Sequence, residues 1–544
     1  MLATLGSALV LGDLYMLSVW DELSDRSFDY FRGSPYQTWP VFGRAVGDLL
    51  LVSFLFWMLI AAVQRVQTPV WRKIGCLLLL TVFLVGVDGA RVTGLHLYGG
   101  SLFGPLGKTG SLIIVAILAT LTAYLILRHD RAVVRAMCGV LLFLLPLVPI
   151  NICSTAWVIH KAAAAGKFAA KIPPPLFPTH APVNRFVWVV FDEWDQYLSG
   201  KGRPSDLALP ELDRFQAQAL DAENAFSPAV DTQEALPSLI TGKIVRKAKW
   251  TAAPNDLQLV FADGEETGSW SAQSNVFRRA RQMGINTALI GFYHPYPRVI
   301  GGDISESFSL SLQTLYQEPL YWKDVHGFKR ISLMIEESLS RIPLLKRHVK
   351  LLTHRREKRT SEVIYRELHN RALELVRRPD MGLVMLHLPV PHPPSIYDRG
   401  QKKVTAENDT GYIDSLALMD LMIGELRGAM EAGGQWDQSF VLLTSDHPLR
   451  GWEGAENIIK IRSPKQPRIP FLLKLPGQKT SVPYTPSFNS AVTHDLALAA
   501  FRGEFRNTED VVKWLDAARL RFPTHPISKQ PVAKAPVHPV KKPG

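Results

Sequence analysis

The sequence predicts a two-part protein: an N-terminal α-helical unit that crosses a membrane several times, then an α/β domain with a mainly parallel sheet between helices. Three observations support this. The chain of 544 residues exceeds one typical domain, and 47% of its residues are hydrophobic. Residues 1–157 contain five apolar stretches separated by short loops, whereas from residue 184 strand-like and helix-like segments alternate. The composition suits a hybrid of a membrane part and a soluble part.

The apolar stretches predict about five transmembrane helices, because a span needs roughly 20 mostly apolar residues. The first stretch contains Asp13 and the third contains Asp88 and Arg91, so the second and fifth fit the criterion best. Buried core helices are the alternative, but the short loops favour spans. No basic segment precedes the first stretch, which argues against a cleaved signal peptide. The stretches are Leu2–Trp20, Ala45–Val63, Ile74–Val87 continuing toward Leu97, Leu112–Leu127 and Ala136–Trp157.

The loop charges predict the orientation of these helices. The loop at 21–43 is acid-rich and the loop at 98–109 holds only Lys108, whereas the other two loops are basic. By the positive-inside rule the basic loops are cytoplasmic, so with five spans the chain after Trp157 lies outside the cytoplasm. We therefore expect an integral protein of a bacterial inner membrane with a periplasmic domain. The basic residues are Arg65, Arg72 and Lys73 in one loop and Arg128, Arg131 and Arg135 in the other.

The remaining segments complete the domain plan. Residues 158–183 are rich in Ala and then Pro and predict a linker, 184–522 form the α/β domain, and the Pro- and Lys-rich residues 523–544 predict a disordered tail. The net charge of +12 could indicate nucleic-acid binding. However, no nucleic-acid-binding motif is present, and membrane proteins use Lys and Arg in loops, so we expect no nucleic-acid partner. The three cysteines all precede the linker, which predicts a domain without disulfides.

Alternating periodicity predicts the elements of the α/β domain. The stripe of apolar residues between Tyr412 and Met430 is the clearest helix, and a Gly pair at 433 and 434 ends it. The other predicted helices are Leu209–Leu220, Val276–Met283 and Ser361–Arg377, and the other predicted strands are Asn286–Phe292 and Gly382–Leu388.

Two apolar runs end in acids or histidine and predict a metal site. The run from Asn184 stops at Asp192 and Glu193, and the run from Ser439 stops at Asp446 and His447. An unbroken apolar run is typical of a strand buried on both faces of a parallel sheet. Ligands bind beyond the carboxyl ends of such strands, so these four side chains are expected to meet there and bind a divalent metal.

Four motifs in matching order carry a resemblance to a known family. Thr232 stands ten residues before Gly242, at the start of a predicted helix that ends in Leu-Ile-Thr-Gly. Pro391-His392-Pro393-Pro394, Ser445-Asp446-His447 and Ile469-Pro-Phe through Pro-Gly477 follow. With the acids at 192 and 193, this set resembles the sulfatase-type branch of the alkaline phosphatase/sulfatase superfamily over residues 184–500. The resemblance implies an α/β fold, a metal-dependent enzyme and a nucleophile at Thr232.

Departures from the family pattern reduce the range of activities that the resemblance implies. Sulfatases proper need Cys or Ser where this chain has Thr232 and Arg where it has Leu236, and Pro448 replaces a Gly. The chain is more similar to membrane-anchored transferases of phosphoethanolamine or phosphoglycerol, although the disulfides common in the former are absent. Nucleotide pyrophosphatases also use Thr, but their second-metal motif is not clear here. We expect one metal ion, zinc or manganese with calcium and magnesium as alternatives, and a second metal stays open.

The resemblance implies roles for individual residues. Metal ligands would be Asp192, Glu193, Thr232, Asp446 and His447, and Thr232 would attack phosphorus to form a phospho-threonine ester. His392 would protonate the leaving group, and His387, His392 and His294 would bind substrate. From position alone Thr232 is also an ordinary helix cap, and His294 is also an ordinary packing histidine.

The predicted function is transfer of a substituted phosphate group from a phospholipid donor to an envelope lipid or glycan. Hydrolysis of phosphate or sulfate esters on the same scaffold is the alternative, and a catalytically silent binding protein is a third. The third fits less well, because Thr, Asp and His all fall at the family's positions.

Overall fold

The computed structural model divides the chain into two units, which we describe separately. The first comprises Met1–Asp29, Ser34–Lys167 and Gln317–His354, and the second Tyr30–Gly33, Phe168–Tyr316 and Arg355–Gly544. The residues that the structure describes are 2–24, 29–31, 38–91, 107–164, 169–178, 184–250, 255–262, 267–311, 336, 343–408, 410–450 and 468–524.

The first unit is helical, and its apolar side chains lie both in its core and on its surface. Its core includes Leu11 and Leu49, whereas Phe54 and Ile117 are among the large apolar residues left exposed. Exposed apolar side chains in this number are typical of a helical surface that faces lipid. The helices are α1 (Leu2–Tyr15), α2 (Leu17–Ser24), α3 (Trp39–Arg65), α4 (Pro69–Gly89), α5 (Gly107–Phe143) and α6 (Leu147–Ala164).

Three helical stretches of the described chain are long and apolar enough to cross a membrane: Trp39–Arg65, Pro69–Gly89 and Ala116–Lys161. The pair α1 and α2, bent by 55°, adds a fourth if the two together make one span. The third stretch has 46 residues and covers most of the fourth predicted span and all of the fifth. Its backbone leaves helical geometry at His129, between those two spans. The total of five spans stays a prediction.

The second unit is built on an eight-stranded sheet in the order β14-β2-β13-β12-β1-β9-β7-β8. The five strands from β12 to β8 are parallel, and β13 runs antiparallel to both of its neighbours. The expected mainly parallel sheet is confirmed. The strands of this sheet are β1 (Arg185–Asp192), β2 (Leu220–Ala222), β7 (Thr287–Tyr293), β8 (Glu306–Ser311), β9 (Leu383–Pro391), β12 (Ser439–Ser445), β13 (Phe471–Lys474) and β14 (Val482–Tyr484).

In the described part of the chain, seven short strands lie outside the main sheet and form three small sheets, β4-β5-β6, β10-β11 and β3-β15. They are β3 (Ala225–Phe226), β4 (Val245–Trp250), β5 (Leu257–Phe261), β6 (Thr267–Ser269), β10 (Tyr397–Asp398), β11 (Lys403–Val404) and β15 (Phe488–Asn489).

Helices cover both faces of the main sheet, and each face has its own core. Val187 and Val189 of β1 pack into one core with the helix Tyr412–Ala432, whereas Phe186 and Trp188 pack into the other with the helix Thr493–Phe501. All eight residues of β1 are buried, as expected for a central parallel strand. The helices are α7 (Gln196–Ser199), α8 (Pro210–Gln216), α9 (Thr232–Thr241), α10 (Val276–Gln282), α11 (Tyr296–Val299), α12 (Pro343–Val376, in this unit from Arg355), α13 (Tyr412–Ala432), α14 (Thr493–Phe501) and α15 (Thr508–Ala518).

The predicted boundaries shift at three places. The helix predicted over 209–220 ends at Gln216, and residues 220–222 form an inner strand instead. The helix predicted from Ser361 begins at Pro343. In the predicted linker, α6 continues to Ala164 and Phe177 N donates to Asn286 Oδ1 at 2.8 Å. Part of the Pro-rich segment therefore lies on the second unit. Of the predicted tail, residues from 525 onward lie outside the described chain.

We predict that Gly242→Ala destabilises the second unit more than Gly434→Ala. Both glycines have φ of +67°, where a side chain costs about 1–2 kcal/mol. A Cβ at Gly242 would also lie 2.7 Å from the His494 ring, whereas nothing lies within 4 Å of a Cβ at Gly434. The clash should add about 1–3 kcal/mol. Denaturant unfolding of the detergent-solubilised chain checks this, and equal losses of stability would contradict it.

Candidate active site

The carboxyl ends of four parallel strands and the start of one helix converge on the candidate site. Phe191 of β1 lies opposite Ser445 of β12, so the acids that follow both strands emerge side by side. On the other side of β1, β9 carries His387 and is followed by His392. This is the edge at which open α/β sheets bind their ligands.

Asp192, Asp446 and His447 form a buried cluster that could hold a metal ion. His447 Nε2 lies 3.5 Å from Asp192 Oδ1 and 3.4 Å from Asp446 Oδ2. The Thr232 hydroxyl lies 3.1 Å from the same nitrogen and 3.4 Å from Asp192 Oδ1. Four residues predicted as metal ligands are thus brought together.

The donor atoms of this cluster fit a small divalent cation. Ligands about 2.0–2.2 Å from a tetrahedral zinc lie roughly 3.3–3.6 Å apart, close to the separations measured here. Asp192 Oδ2 and Asp446 Oδ2 are buried and accept no hydrogen bond from the described residues. Buried carboxylate oxygens without partners are costly unless a cation binds them. When bound, the ion would be held by Asp192, Asp446, His447 and Thr232.

A hydrogen bond to a backbone carbonyl fixes His447 in the tautomer that can bind a metal through Nε2. Its Nδ1 lies 3.0 Å from the carbonyl oxygen of Pro448, which can only accept a hydrogen bond. Nδ1 therefore carries the proton, and the lone pair of Nε2 faces Thr232 and the two aspartates. The residue that departs from the family pattern, Pro448, thus orients a predicted metal ligand.

The carboxylates of the cluster repel one another. Burial raises the pKa of Asp192 well above its ordinary value, and the negative charges of Asp446 and Glu193 raise it further. A carboxyl with a raised pKa holds a proton until a cation replaces it. Protons should therefore compete with the metal for this site.

Glu193 is placed differently from the three clustered residues. Its carboxylate accepts from Arg450 Nε at 2.6 Å, and Arg450 Nη1 donates to Asp231 at 2.6 Å. Glu193 has φ of +64°, so the strand's alternation of side chains is broken at this residue. Metal binding by Glu193 stays a prediction, since in the structure its carboxylate pairs with an arginine.

Thr232 is the first residue of α9, and Asp231 is the residue that precedes the helix. Thr232 is therefore not the N-cap residue, and its buried hydroxyl turns toward the cluster rather than capping the helix. The first turn of a ten-residue helix also supplies backbone N–H groups and a positive dipole end, which favour a phosphate group.

The three predicted substrate-binding histidines differ in what they contact. The His392 side chain is 8% exposed and its Nε2 lies 3.5 Å from Arg450 Nη2. His387 is buried, its Nδ1 contacts the Phe292 carbonyl at 3.0 Å, and its Nε2 has no partner among the described residues. His294 is also buried, and both of its nitrogens contact protein groups, Tyr30 and Thr232. Substrate binding by all three stays a prediction.

Burial determines the charge state of these histidines. It lowers the pKa of His294 to about 3 and of His387 to about 4, and it also lowers the pKa of His392. All three rings are therefore neutral at pH 7.

A cavity of about 520 Å³ opens beside the carboxyl end of β1. Trp194 and Tyr197 contribute aromatic surface to its lining, and Arg203 and Arg468 contribute guanidinium groups. Such a mixed lining suits a polar organic group rather than a purely apolar one.

Sequence reasoning missed two residues that contact predicted site residues. Arg450 follows Asp446-His447 in a stretch without periodicity, and Tyr30 lies about 200 residues before the site in the acid-rich loop. The only available sign of Arg450 was a basic residue three positions after a predicted ligand.

The fold and the site together define a class of enzyme. It is an α/β protein in which Asp, Asp and His at the carboxyl ends of parallel strands lie beside a threonine at the start of a helix. The family model described as Sulfatase matches residues 184–500, more than half of the chain. The chain therefore belongs to the sulfatase family and is a metal-dependent enzyme of the alkaline phosphatase/sulfatase superfamily. The resemblance found in the sequence is confirmed.

Several solved structures are similar to this chain. The PsFucS1 sulfatase from Pseudoalteromonas sp. is 13% identical, with a TM-score of 0.40 over 58% of this chain and 68% of that one. The lipoteichoic acid synthase LtaP from Listeria monocytogenes is 15% identical (TM-score 0.37, 62% and 76%). The phosphonate monoester hydrolase of Agrobacterium radiobacter is 12% identical (0.35, 59% and 74%). No curated protein matches the chain.

We predict that Asp192→Asn removes metal-induced stabilisation yet stabilises the metal-free protein as pH rises. Because the pKa of Asp192 is raised in the folded state, its contribution to stability is present at low pH and is lost as pH increases. Asparagine has no such dependence. Thermal unfolding in EDTA and in excess Zn²⁺ or Mn²⁺, at pH 6 and pH 8, checks both effects. For the wild type, metal at a hundredfold of its Kd adds about 2.7 kcal/mol.

Asp420→Asn is the matched control. Burial raises the pKa of Asp420 to about 6, but its carboxylate accepts from Leu212 N, away from the cluster. The metal-induced shift in Tm should survive this substitution. If Asp192→Asn kept the same metal-induced shift as the wild type, the proposed ligand set would be wrong.

Proposed function

We propose that the protein transfers a substituted phosphate group, of the phosphoethanolamine or phosphoglycerol type, from a phospholipid to an envelope lipid or glycan. The observation that carries this proposal is the buried Thr232 hydroxyl, 3.1 Å from His447 Nε2 at the start of α9. A threonine cannot supply the oxidised nucleophile of sulfatases proper, and a threonine ester with phosphate is the covalent intermediate that remains.

The first half-reaction forms the phospho-threonine ester. Thr232 Oγ1 loses its proton and bonds to phosphorus, the bond from phosphorus to the diacylglycerol oxygen breaks, and that oxygen takes up a proton. A bound divalent cation would supply Lewis-acid stabilisation of the negative charge on these oxygens. Thr232 is the first residue of α9, and the N–H groups of a first helical turn favour a phosphoryl group.

In the second half-reaction the oxygen of an alcohol bonds to phosphorus and loses its proton, the bond from phosphorus to Thr232 Oγ1 breaks, and Oγ1 takes up a proton. His392 Nδ1 contacts the Pro393 carbonyl at 2.5 Å, so Nδ1 carries the proton, and Nε2, 3.5 Å from Arg450 Nη2, is the acceptor nitrogen. A neutral Nε2 at a partly open position is suited to take the proton of the incoming hydroxyl group. The protonated His392 would then give that proton to Thr232 Oγ1, the leaving group of this half-reaction.

The substrates and the location follow from the same features. A lipid donor fits a chain whose first unit has three or four apolar segments able to span a membrane. The ion pair of Arg72 in α4 with Asp130 in α5, at 2.6 Å, links the two segments that were predicted as basic loops, which supports their lying on one side of the membrane. The cavity with Tyr197 and Arg203 would accept the polyol or sugar of the acceptor.

We expect incubation with bacterial phospholipids and Zn²⁺ or Mn²⁺ to leave a covalent adduct on Thr232, whose mass names the head group. Intact-mass analysis and peptide mapping of the detergent-purified chain measure it. Thr232→Ala should abolish the adduct and lower turnover more than about a thousandfold, because the nucleophile is lost.

Thr232→Ser is the matched control, because it keeps the hydroxyl group and should still form the adduct. Equal release of the phosphorylated head group with and without an added alcohol acceptor would identify water as the acceptor and a hydrolase. Full turnover of Thr232→Ala would overturn the nucleophile and the proposal.

Arg450 is expected to contact the substrate phosphate as well as Glu193. Its side chain is 35% exposed and its Nη2 lies 3.5 Å from His392 Nε2, so the guanidinium borders the proposed phosphate position. Arg450→Met should lower kcat/KM about 10- to 100-fold, the effect of a lost charge-assisted hydrogen bond. Arg450→Met takes away the arginine that neutralises the buried charge of Glu193, and the double variant Arg450→Met/Glu193→Gln removes that charge as well. Turnover of a fluorescent phospholipid is compared between the single and the double variant. Full recovery in the double variant would mean that Arg450 only neutralises Glu193.

A further inference from the structure

The second unit contains two aromatic residues that precede its next segment, which begins at Phe168, by more than 130 residues. Tyr30 and Phe31 lie between α2 and α3 in the chain, yet both are buried in the core of the second unit. The Phe31 ring packs edge-on against Tyr293 and Trp250, each at 5.2 Å between centroids. Arg298 Nη2 donates to the Tyr30 carbonyl at 2.5 Å. These contacts fix the position of Tyr30.

The Tyr30 hydroxyl begins a hydrogen-bond chain that ends on Thr232. It lies 2.9 Å from His294 Nδ1, and His294 Nε2 lies 3.3 Å from the Thr232 carbonyl oxygen. A carbonyl only accepts, so Nε2 carries the proton of the neutral ring and Nδ1 must accept. Tyr30 is therefore the donor, and its hydroxyl group holds His294 in the tautomer that donates to Thr232.

The His294 ring is held in place independently of this hydroxyl group. Trp270 packs edge-on against it at 4.9 Å and Tyr296 at 5.8 Å, and Tyr293, with φ of +75°, turns the chain just before it. Removing the hydroxyl group alone would leave the ring in its pocket. The contribution of the hydrogen bond can thus be separated from that of the packing.

We propose that Tyr30 is a positioning residue for Thr232, acting through His294, so that residues 30 and 31 complete the catalytic site. This inference rests on the proposed role of Thr232 as nucleophile. The donor from His294 fixes the first turn of α9, and that turn sets the hydroxyl 3.1 Å from His447 Nε2. Misplacement of a reacting group by about 1 Å can cost roughly a hundredfold in rate.

Tyr30→Phe in the full-length, detergent-solubilised chain tests the proposal, with fluorescent phosphatidylethanolamine and phosphatidylglycerol as probes. We expect kcat to fall about tenfold with KM changed less than twofold, because an orientation is lost and not a substrate contact. The yield of the Thr232 adduct at early times should fall in parallel. Tyr484→Phe is the matched control, since it deletes a phenol hydroxyl group that contacts Asp516 in the same unit and should leave kcat unchanged.

A double-mutant cycle tests whether Tyr30 acts through His294. In a His294→Leu background, Tyr30→Phe should change kcat less than twofold, because the connection is already broken. His294→Gln, which can still donate from Nε2 to the Thr232 carbonyl, should retain more kcat than His294→Leu. This comparison remains informative even if Tyr30→Phe lowers the amount of folded protein.

The outcomes separate this inference from the proposed function. If Thr232→Ala abolishes turnover while Tyr30→Phe keeps the wild-type kcat, the role of Tyr30 is wrong and the nucleophile stands. The role is also wrong if Tyr30→Phe costs the same tenfold in the His294→Leu background. If Thr232→Ala keeps full turnover, the nucleophile is wrong and Tyr30 has nothing to position.

Discussion

The site depends on two buried carboxylates, Asp192 and Asp446, that two neighbouring strands force together. Their candidate ligand atoms lie within 4.8 Å of one another, and at an effective dielectric constant near 20 two such charges repel by about 3–4 kcal/mol. Parallel pairing of β1 with β12 leaves no freedom to separate them, because both acids follow directly on the paired residues. A divalent cation removes the repulsion. The sheet thus places two carboxylates where a bound metal would stabilise them, and the same metal would bind the Thr232 hydroxyl group.

Much of this arrangement could be predicted, because it follows from strand periodicity and order. Two unbroken apolar runs predicted central parallel strands, and the acids at their ends predicted where Asp192, Asp446 and His447 would meet. Thr232 could be predicted only from its ten-residue spacing to Gly242, since its position alone equally fits a helix cap. The helix predicted over 209–220 was too long because Leu220 and Ala222 pair with the sheet, an effect of tertiary contacts on a helical pattern.

Other features could not be predicted, for physical reasons that differ between residues. Asp192 and Glu193 are adjacent acids, but Asp192 lies in the cluster, whereas Glu193 has a left-handed backbone and its carboxylate pairs with Arg450. Nothing in the local sequence indicates that backbone conformation. Arg450 and Tyr30 act through long-range contacts that have no periodicity. His294 shows the same limit, because a buried histidine and a substrate-binding histidine look alike until the partners of both nitrogens are known.

The position of the nucleophile is therefore determined by residues far apart in the chain. The backbone of Thr232 contacts His294, which follows β7, and His294 contacts Tyr30 from the N-terminal region. The hydroxyl group of Thr232 contacts His447, whose tautomer depends on the Pro448 carbonyl. A protein that starts at residue 184 would keep the cluster of Asp192, Asp446 and His447 but lack the donor to His294. It should therefore retain metal binding more fully than catalysis, because the ligand set is local to the sheet and the alignment of the nucleophile is not.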